Sequence, residues 1–382
     1  MMHKILFIST VLPSKLGGVR SLYYNMLLFS KNFEVHFIRV KTGGGEAALV
    51  RLPAFVKFSE IDGGNGVFDP SSLLIPIHSG SIRRIKGAQG AIQRYIDENE
   101  IEVVITHSMD ESFALRGLRA KVKVANQVDS FARYYSSKSA ALGTPFSALM
   151  SHLQSFLYFF IERELYSNFD VVSFVSALDV SSRKKDAAGT FVISQGRDPP
   201  FKRKNLGARN RDVVILGRWD HPPNRDGLAR IAKELGGING SVAIIGPNLK
   251  AIIQFPKNVK VLGMVDDVTK YLSHSKICLI PVWYGAGLQT KVFDALRHGC
   301  VVVTNDFTKS AFDAGGLGSD SIIASDDLAA AANRALAAYS PSDAKSAYNS
   351  YEMIYCTNAR TEEEFANKVM QLVRRKTFQS RP

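Results

Sequence analysis

The chain has 382 residues, which exceeds the usual size of one domain, so two domains of roughly 150 to 200 residues each are expected. No tract is poor enough in apolar residues to be disordered, and no run reaches the roughly 20 apolar residues of a transmembrane helix. The three cysteines lack metal-binding spacing, which predicts a reduced, cytoplasmic protein.

Short apolar runs of strand length alternate with longer helix-like stretches along the whole chain, which is typical of parallel sheets covered by helices on both faces. The predicted fold class is therefore α/β. Strands are predicted in the first half at 4–9, 34–40, 102–106, 123–127, 171–175 and 190–194, and in the second half at 212–216, 241–245, 259–262, 277–281 and 301–304. Helices are predicted at 328–338 and 362–375.

The boundary between the two halves is placed at 198–211, where prolines and polar or basic residues interrupt the alternation. Each half carries enough strands for a Rossmann-type sheet of its own. We therefore predict an N-terminal domain over 1–198, a C-terminal domain over 199–350, and a helical segment over 351–382 that packs back toward the N-terminal domain.

The turn after the first strand contains Gly17 and Gly18, directly before a helix with periodic apolar residues. Paired glycines at a helix start let backbone N–H groups approach an anion, so both are candidate donor-binding residues. A plain tight turn is the alternative, because the pattern is not G-x-G-x-x-G and no acidic residue clearly ends the second strand. That second absence counts against a dinucleotide-dependent dehydrogenase.

Arg218 comes just after the first strand of the second half, at the carboxyl edge where α/β sheets bind ligands. A guanidinium in this place can bind a diphosphate through two hydrogen bonds, and a surface salt bridge is the alternative.

The stretch 280–303 reads as strand, glycine loop, helix, glycine stop and strand. Glycines free the loop backbone to fold against a ligand, and the helix start offers unpaired amides for an anion. Lys291 adds a charge for phosphate oxygens, and Asp294, one helical turn later, can accept hydrogen bonds from ribose hydroxyls. The candidate donor-binding residues of this stretch are Gly285, Gly287, Leu288, Gln289, Thr290, Lys291 and Asp294.

With these motifs the sequence resembles the retaining glycosyltransferases of the GT-B fold, in the large bacterial group 1 or family 4-like set. The resemblance covers nearly the whole chain and is most specific at 285–299. It implies two Rossmann-like domains with parallel sheets facing across a cleft, an acceptor in the N-terminal domain and a nucleotide-sugar donor in the C-terminal domain. In this family the residues matching Arg218 and Lys291 neutralise the donor diphosphate, and the acidic residue matching Asp294 holds the ribose.

Two positions depart from the family pattern. Ala286 stands eight residues before Asp294, where many relatives have a glutamate that contacts the donor sugar, and Asn224-Arg225 stands where many have a lysine. Sugar contacts must then come from other groups, such as the backbone of 285–288. The donor stays open between UDP- and GDP-sugars, and we expect neither a metal nor another cofactor.

His107 and Asp129 each follow a predicted strand of the N-terminal half, so both are expected at the cleft as catalytic or acceptor-binding groups. The sequence around Asp129 is similar to the signature after this strand in related transferases. A helix N-cap is the alternative for Asp129. Glu162 and Arg163 are also family-like, with a structural ion pair as the favoured interpretation.

The formal net charge of +13 includes basic clusters at 83–86, 183–185, 202–204 and 374–376, which can attract anionic lipids, nucleic acid or phosphorylated substrates. A solvated basic surface without a partner is the alternative. Nucleic acid is not expected, because no recognised binding motif is present. The apolar residues of 146–158 have near-helical spacing, which we interpret as core packing, with insertion at a membrane surface as the alternative.

The predicted function is transfer of a sugar from a nucleotide-diphosphate donor to a saccharide or lipid-linked acceptor, with retention of configuration, in cell-surface glycan synthesis. The enzyme is expected in the cytoplasm, with peripheral attachment to the inner face of the plasma membrane. A catalytically silent nucleotide-sugar-binding subunit stays open because of Ala286. A nucleotide-sugar 2-epimerase is less favoured, since it needs more acid and base residues in the cleft.

Overall fold

The computed structural model describes residues 2–14, 19–42, 52–67, 79–141, 144–182, 189–201, 208–249 and 254–379. The first half contains β1 (His3–Ser9), α1 (Arg20–Phe29), β2 (Phe33–Lys41), β3 (Val56–Asp62), α2 (Ser79–Glu98), β4 (Val103–His107), α3 (Ser108–Ala114), β5 (Val122–Gln127), α4 (Phe131–Ala141), α5 (Pro145–Tyr166), β6 (Val171–Phe174), a 3₁₀ helix (Ala177–Ser182) and β7 (Thr190–Val192).

The second half contains β8 (Arg211–Leu216), α6 (Pro222–Ile231), a 3₁₀ helix (Glu234–Gly237), β9 (Val242–Ile245), β10 (Val259–Gly263), α7 (Val268–Leu272), β11 (Ser275–Leu279), α8 (Thr290–Arg297), β12 (Val301–Thr304), α9 (Asp306–Ala314), β13 (Ile322–Ala324), α10 (Leu328–Ala338) and α11 (Pro341–Gln379). The helix predicted at 328–338 has these bounds, and the one predicted at 362–375 is part of α11.

The strands form two parallel sheets, in the orders β3-β2-β1-β4-β5-β6-β7 and β10-β9-β8-β11-β12-β13. This confirms the predicted α/β class. β3 was not predicted, because it is an edge strand with no fully buried residue, and charged residues such as Lys57 and Glu60 interrupt its apolar pattern. β13 was also missed, because its three residues are too short for a recognisable pattern.

Apolar side chains fill both faces of each sheet. In β1, Leu6 and Ile8 belong to one core cluster while Ile5 and Phe7 belong to another, as the two-residue period of a strand requires. Strands that are buried on both faces read as continuous apolar runs, which is why most of them could be predicted.

α11 joins the two halves. Its first part places Tyr351 and Ile354 in the core of the second half, and its last part places Phe365 and Val369 in the core of the first. Between them, Asn358 donates to the Gly196 carbonyl at 2.9 Å. One continuous helix therefore packs against both sheets and the segment between them.

The interpretation of 146–158 as core was wrong for its apolar stripe. Phe146, Leu149 and Phe156 on α5 are 76%, 55% and 64% exposed. The buried face of this helix instead presents Tyr158, Ile161 and Leu165. In the described part of the chain, none of the helices combines the length and the apolar character needed to cross a bilayer.

The basic clusters differ in their surroundings. Those at 183–185 and 202–204 lie outside the described residues. In the first cluster, the Arg84 guanidinium donates to the Thr42 carbonyl, and in the last, Lys376 pairs with Asp170 at 2.7 Å.

Candidate active site

A cleft of about 280 Å³ separates residues that follow β5 from residues that follow β8 and β11. All three strands are parallel members of their sheets, so the cleft lies at the carboxyl edges of both. It is lined by Asp129, Phe131, Tyr134, Tyr135, His221, Pro223, Gly285, Ala286 and Gln289. The predicted Asp129 and the predicted glycine loop therefore face each other across it.

Three basic side chains, Lys291, Arg218 and His221, gather around Asn224 beside the C-terminal wall of this cleft, and His221 lines it. Lys291, at the start of α8, donates to Asn224 Oδ1 at 2.6 Å, and the Asn224 amide donates to the Arg218 carbonyl at 3.1 Å. Burial lowers the pKa of Lys291 to about 8. Burial, followed by the charges of Lys291 and Arg218, also lowers the pKa of His221. Among the described residues, Asp220 is the carboxylate that pairs with Arg218 and also acts on His221, so the three basic groups outnumber it and the cluster is suited to an anion.

Arg218 reaches toward solvent, since 73% of its side chain is exposed. Its guanidinium pairs with Asp220 through contacts of 2.9 and 3.1 Å. This is the surface salt bridge considered as the alternative, and exposed pairs of this kind are weak enough for a phosphate to compete. Arg225 is turned into a similar pair with Asp226 at 2.8 Å.

The glycine loop before α8 is bonded to the N-terminal half. Gly285 N–H donates to Ser137 Oγ at 2.9 Å, and Gly287 N–H donates to Asp179 Oδ2 at 2.9 Å. Gly287 has φ +66°, and a Cβ there would collide with Asp129 Oδ1. Two of the amides predicted for the donor are therefore occupied across the cleft in this structure.

The other residues predicted around α8 have distinct positions. Gln289 lines the cleft and precedes the first residue of α8, Thr290. The side chain of Leu288 is buried in the core of the second half, so only its backbone is available to a ligand.

Asp129 keeps accessible surface on the cleft wall, but the surrounding protein excludes much of the water and raises its pKa to about 6. The helix start beside it is capped by other residues. Glu162 accepts from the amides of Phe131 and Ala132 at 2.6 and 3.2 Å, and Ser130 Oγ accepts from the Arg133 amide at 3.2 Å. Asp129 thus faces the cleft while its neighbours form the cap.

Asp179 is a carboxyl group near this wall that, unlike Asp129, is buried. Burial, and next the charge of Asp129, raise its pKa well above the ordinary value, while Arg133 Nε lies 3.4 Å from its Oδ1. Asp179 was not predicted. The rule that selected His107 and Asp129 could have found it, because it also follows the carboxyl end of a strand, β6.

His107 lies below the surface, away from the residues that line the cleft. Its Nδ1 accepts from the Asn126 amide at 2.9 Å, and Asn126 Oδ1 accepts from Ser173 Oγ at 3.0 Å. Burial lowers the pKa of His107 to about 4, so the ring is neutral near pH 7. These bonds run across β4, β5 and β6 and orient the ring inside the sheet.

Asp294 is paired with an arginine from the other half. Arg20 Nη2 donates to Asp294 Oδ1 at 2.8 Å, and Arg20 Nη1 lies 3.4 Å from Asp198 Oδ2. Burial acts against the charge of Arg20, but both carboxylates raise its pKa above the ordinary value. The predicted ribose acceptor is therefore held in an ion-pair bridge between α1 and α8. Gly17 and Gly18, just before α1, lie outside the described residues.

Replacing Arg20 with methionine is expected to lower the free energy of unfolding by about 3 kcal/mol, because two partly buried carboxylates would lose their partner. Urea unfolding measures this change. Lys41→Met is the matched control, since it breaks a pair whose lysine is half exposed and is expected to cost less than about 1 kcal/mol. Equal losses of unfolding free energy in the two variants would contradict this prediction, because the Arg20 bridge would then stabilise the fold no more than an exposed ion pair does.

A comparison with known protein families finds a match in the second half of the chain. Residues 210–340 match the family described as "Glycosyl transferases group 1". This segment is a group 1 glycosyl transferase domain. It contains Arg218, Asn224, Lys291 and Asp294, so the cationic cluster belongs to it. Comparison with curated protein sequences finds no match.

Solved structures are similar over nearly the whole chain. Sucrose-phosphate synthase from Thermosynechococcus elongatus has a TM-score of 0.65 at 15% identity, with 99% of this chain and 100% of that chain covered. The α,α-trehalose-phosphate synthase (UDP-forming) from Burkholderia vietnamiensis has 0.63 at 12% identity, with 98% of each chain covered. HepE from Anabaena in complex with UDP has 0.60 at 13% identity, with 96% and 100% covered. The predicted GT-B fold, which includes the group 1 domain, is confirmed.

Proposed function

We propose that the protein is a glycosyltransferase that moves a sugar from a nucleoside-diphosphate donor to a saccharide or lipid-linked acceptor. One observation carries this proposal: Lys291 and Arg218 are joined through Asn224 beside His221, which lines the cleft, and Asp129 lines the opposite wall. The group 1 domain at 210–340 supports it, as do similar structures whose descriptions include UDP.

The reaction develops negative charge on the leaving diphosphate. A cation held in a site with little water stabilises such charge more strongly than it would in bulk solvent. Lys291 stands at the first turn of α8, where the helix dipole also favours an anion. Because these groups can neutralise the diphosphate together, we propose that no metal ion is required.

The opposite wall offers groups for an acceptor. Phe131, Tyr134 and Tyr135 give it aromatic surface against which a sugar ring can pack. Asp129 can accept a hydrogen bond from the attacking hydroxyl and hold it in position. We propose retention of configuration, in which the departing phosphate takes the hydroxyl proton, so Asp129 orients the acceptor rather than acting as an obligatory base.

Donor binding requires a rearrangement of the glycine loop. The amides of Gly285 and Gly287 must leave Ser137 and Asp179 before they can bind a phosphate or sugar oxygen. We propose that the two halves separate to admit the donor and close again around it, which would exclude water during transfer.

The place of action that we propose is the cytoplasmic face of a membrane, in the synthesis of cell-surface glycans. The cytosol supplies nucleotide sugars, and a lipid-linked acceptor is presented at the membrane surface. The net charge of +13 favours approach to anionic lipids.

The test of the proposed function is calorimetric binding of UDP and GDP across pH 7 to 9.5. A bound diphosphate favours the charged ammonium and raises the pKa of Lys291 from about 8. Binding should therefore take up a proton, and the affinity should fall by up to about tenfold per pH unit above pH 8. Titrations in two buffers of different ionisation enthalpy measure the proton uptake directly.

In the Lys291→Met variant, the fall in affinity above pH 8 should disappear. Absence of binding by both nucleotides at millimolar concentration would contradict the proposed donor site. Binding without transfer or hydrolysis of any nucleotide sugar would instead favour a catalytically silent subunit, the function that Ala286 in the cleft wall also fits.

A further inference from the structure

One face of α5 carries a row of apolar side chains that contact no other part of the described chain closely enough to be buried. We call this row the α5 apolar face; it consists of Phe146, Leu149, Met150, Leu153, Phe156, Leu157 and Phe160, which are 39–76% exposed. The spacing of three and four residues places them along one side of the helix. With a rise of 1.5 Å per residue, the row is about 21 Å long.

The opposite side of α5 already supplies the packing that this helix needs. Tyr158 stacks on Tyr135 of α4 at 5.3 Å, and Ser155 Oγ donates to the Ala132 carbonyl at 2.8 Å. Ile161 and Leu165 complete the contact with the first sheet. The α5 apolar face is therefore additional to the core, and a continuous exposed apolar patch of this length is typical of an interaction surface.

The charge around this face distinguishes between possible partners. The stretch 131–161, which spans α4, the connection and the whole α5 apolar face, contains no aspartate or glutamate, while Arg133, Lys138 and His152 are basic. α5 itself continues to Tyr166, where Glu162 is buried and the exposed Glu164 stands beside the exposed Arg163. A second copy of the chain would bring the same acid-free surface and a further net charge of +13. An anionic lipid surface would supply the negative charge and the apolar phase that the hairpin lacks.

The helical hairpin of α4 and α5 also forms part of the cleft. Phe131, Tyr134 and Tyr135 of α4 line it, and Tyr158 of α5 packs directly behind two of these rings. A surface that binds α5 would thus be separated from the acceptor wall of the cleft only by the α4–α5 pair itself. This arrangement suits an acceptor whose sugar enters the cleft while its lipid remains in the bilayer.

We propose that the α5 apolar face docks on an anionic bilayer, with the helix lying in the plane of the interface. The phenylalanine and leucine side chains enter the boundary between headgroups and acyl chains, and the basic residues contact the headgroups. Docking itself is independent of the reaction, whereas its use in presenting a lipid-linked acceptor rests on the proposed function.

Co-sedimentation of the full chain with vesicles tests this surface. We expect binding to vesicles that contain 30% phosphatidylglycerol, and weaker binding to vesicles of phosphatidylcholine alone. Leu153→Gln with Phe156→Gln removes two side chains of the α5 apolar face without adding charge. The affinity of this double variant for anionic vesicles should be at least about tenfold lower than that of the wild type.

The matched control is Met264→Gln with Met353→Gln, because these methionines are 81% and 63% exposed and lie outside α5. It should bind vesicles like the wild type. Thermal unfolding without lipid should be unchanged in both double variants, since all four positions are exposed.

Three outcomes would overturn the proposal: no vesicle binding by the wild type, equal binding by the wild type and the α5 double variant, or loss of a dimer in that variant without loss of vesicle binding. The last outcome, measured by light scattering, would assign the face to a second copy of the chain. Failure of the proposed function is distinguishable, because UDP and GDP binding is measured without lipid.

Discussion

Replacing Lys291 with methionine is expected to lower the transfer rate about 100-fold or more, the usual cost of removing one preorganised group that stabilises developing charge. The ammonium is held against Asn224 at 2.6 Å, so it already stands in place before the reaction begins. Affinity for nucleoside diphosphates should fall as well, because the charge acts in both the bound and the reacting states. Steady-state kinetics and calorimetry measure the two effects separately.

The thermal stability of the unliganded Lys291→Met variant should not fall, although its activity does. The pKa of Lys291 is about 8 in the folded chain and about 10.4 in an unfolded one, so the unfolded state holds the proton more tightly. A lysine with a lowered pKa costs stability below pH 8, and this cost is relieved as the pH rises from 8 toward 10.4. The unliganded melting temperature of the methionine variant at pH 7 should therefore equal or exceed that of the wild type.

Lys270→Met is the control for this prediction, because Lys270 is exposed on α7 of the same domain. It should leave the rate, the affinity and the melting temperature unchanged. A sharp fall in melting temperature together with normal transfer in Lys291→Met would make Lys291 a structural residue.

The strands and the glycine loop could be predicted because their signals lie in residues that are neighbours in the sequence. Strands buried on both faces are continuous apolar runs, and Gly287 stands where the backbone needs a positive φ. These properties belong to a few neighbouring residues. Lys291 could be located in the same way, because its place at a helix start after a strand is also local.

Other features depend on contacts that a single sequence does not contain. Asp294 was predicted to be open to ribose, but Arg20, which lies far away in the chain, binds it. His107 ends a strand as predicted, yet its side chain lies inside the sheet beside Asn126. Periodicity in α5 showed that Phe146 and Leu153 share a face, but it did not show whether protein or solvent meets that face.

Replacing Gly287 with alanine is expected to lower the transfer rate about 100-fold, because it pushes the two walls of the cleft apart. A Cβ at this position would collide with Asp129 Oδ1 and lie 2.9 Å from the Val128 carbonyl oxygen, which cannot move without the end of β5. A displacement near 1 Å between reacting groups is enough to cost about 100-fold in rate. Nucleotide affinity should change less, since Lys291, Asn224 and Arg218 do not depend on this contact.

Gly316→Ala is the matched control for the backbone. Gly316 has φ +68°, nearly the same as the +66° of Gly287, but nothing lies within 4 Å of a Cβ placed there. Both variants should lose about 1 to 2 kcal/mol of stability from the left-handed conformation. Only Gly287→Ala should also lose transfer activity. If both variants keep normal activity at matched stability, the close approach of Gly287 to Asp129 is not needed for catalysis, and the closed cleft is not the reacting state.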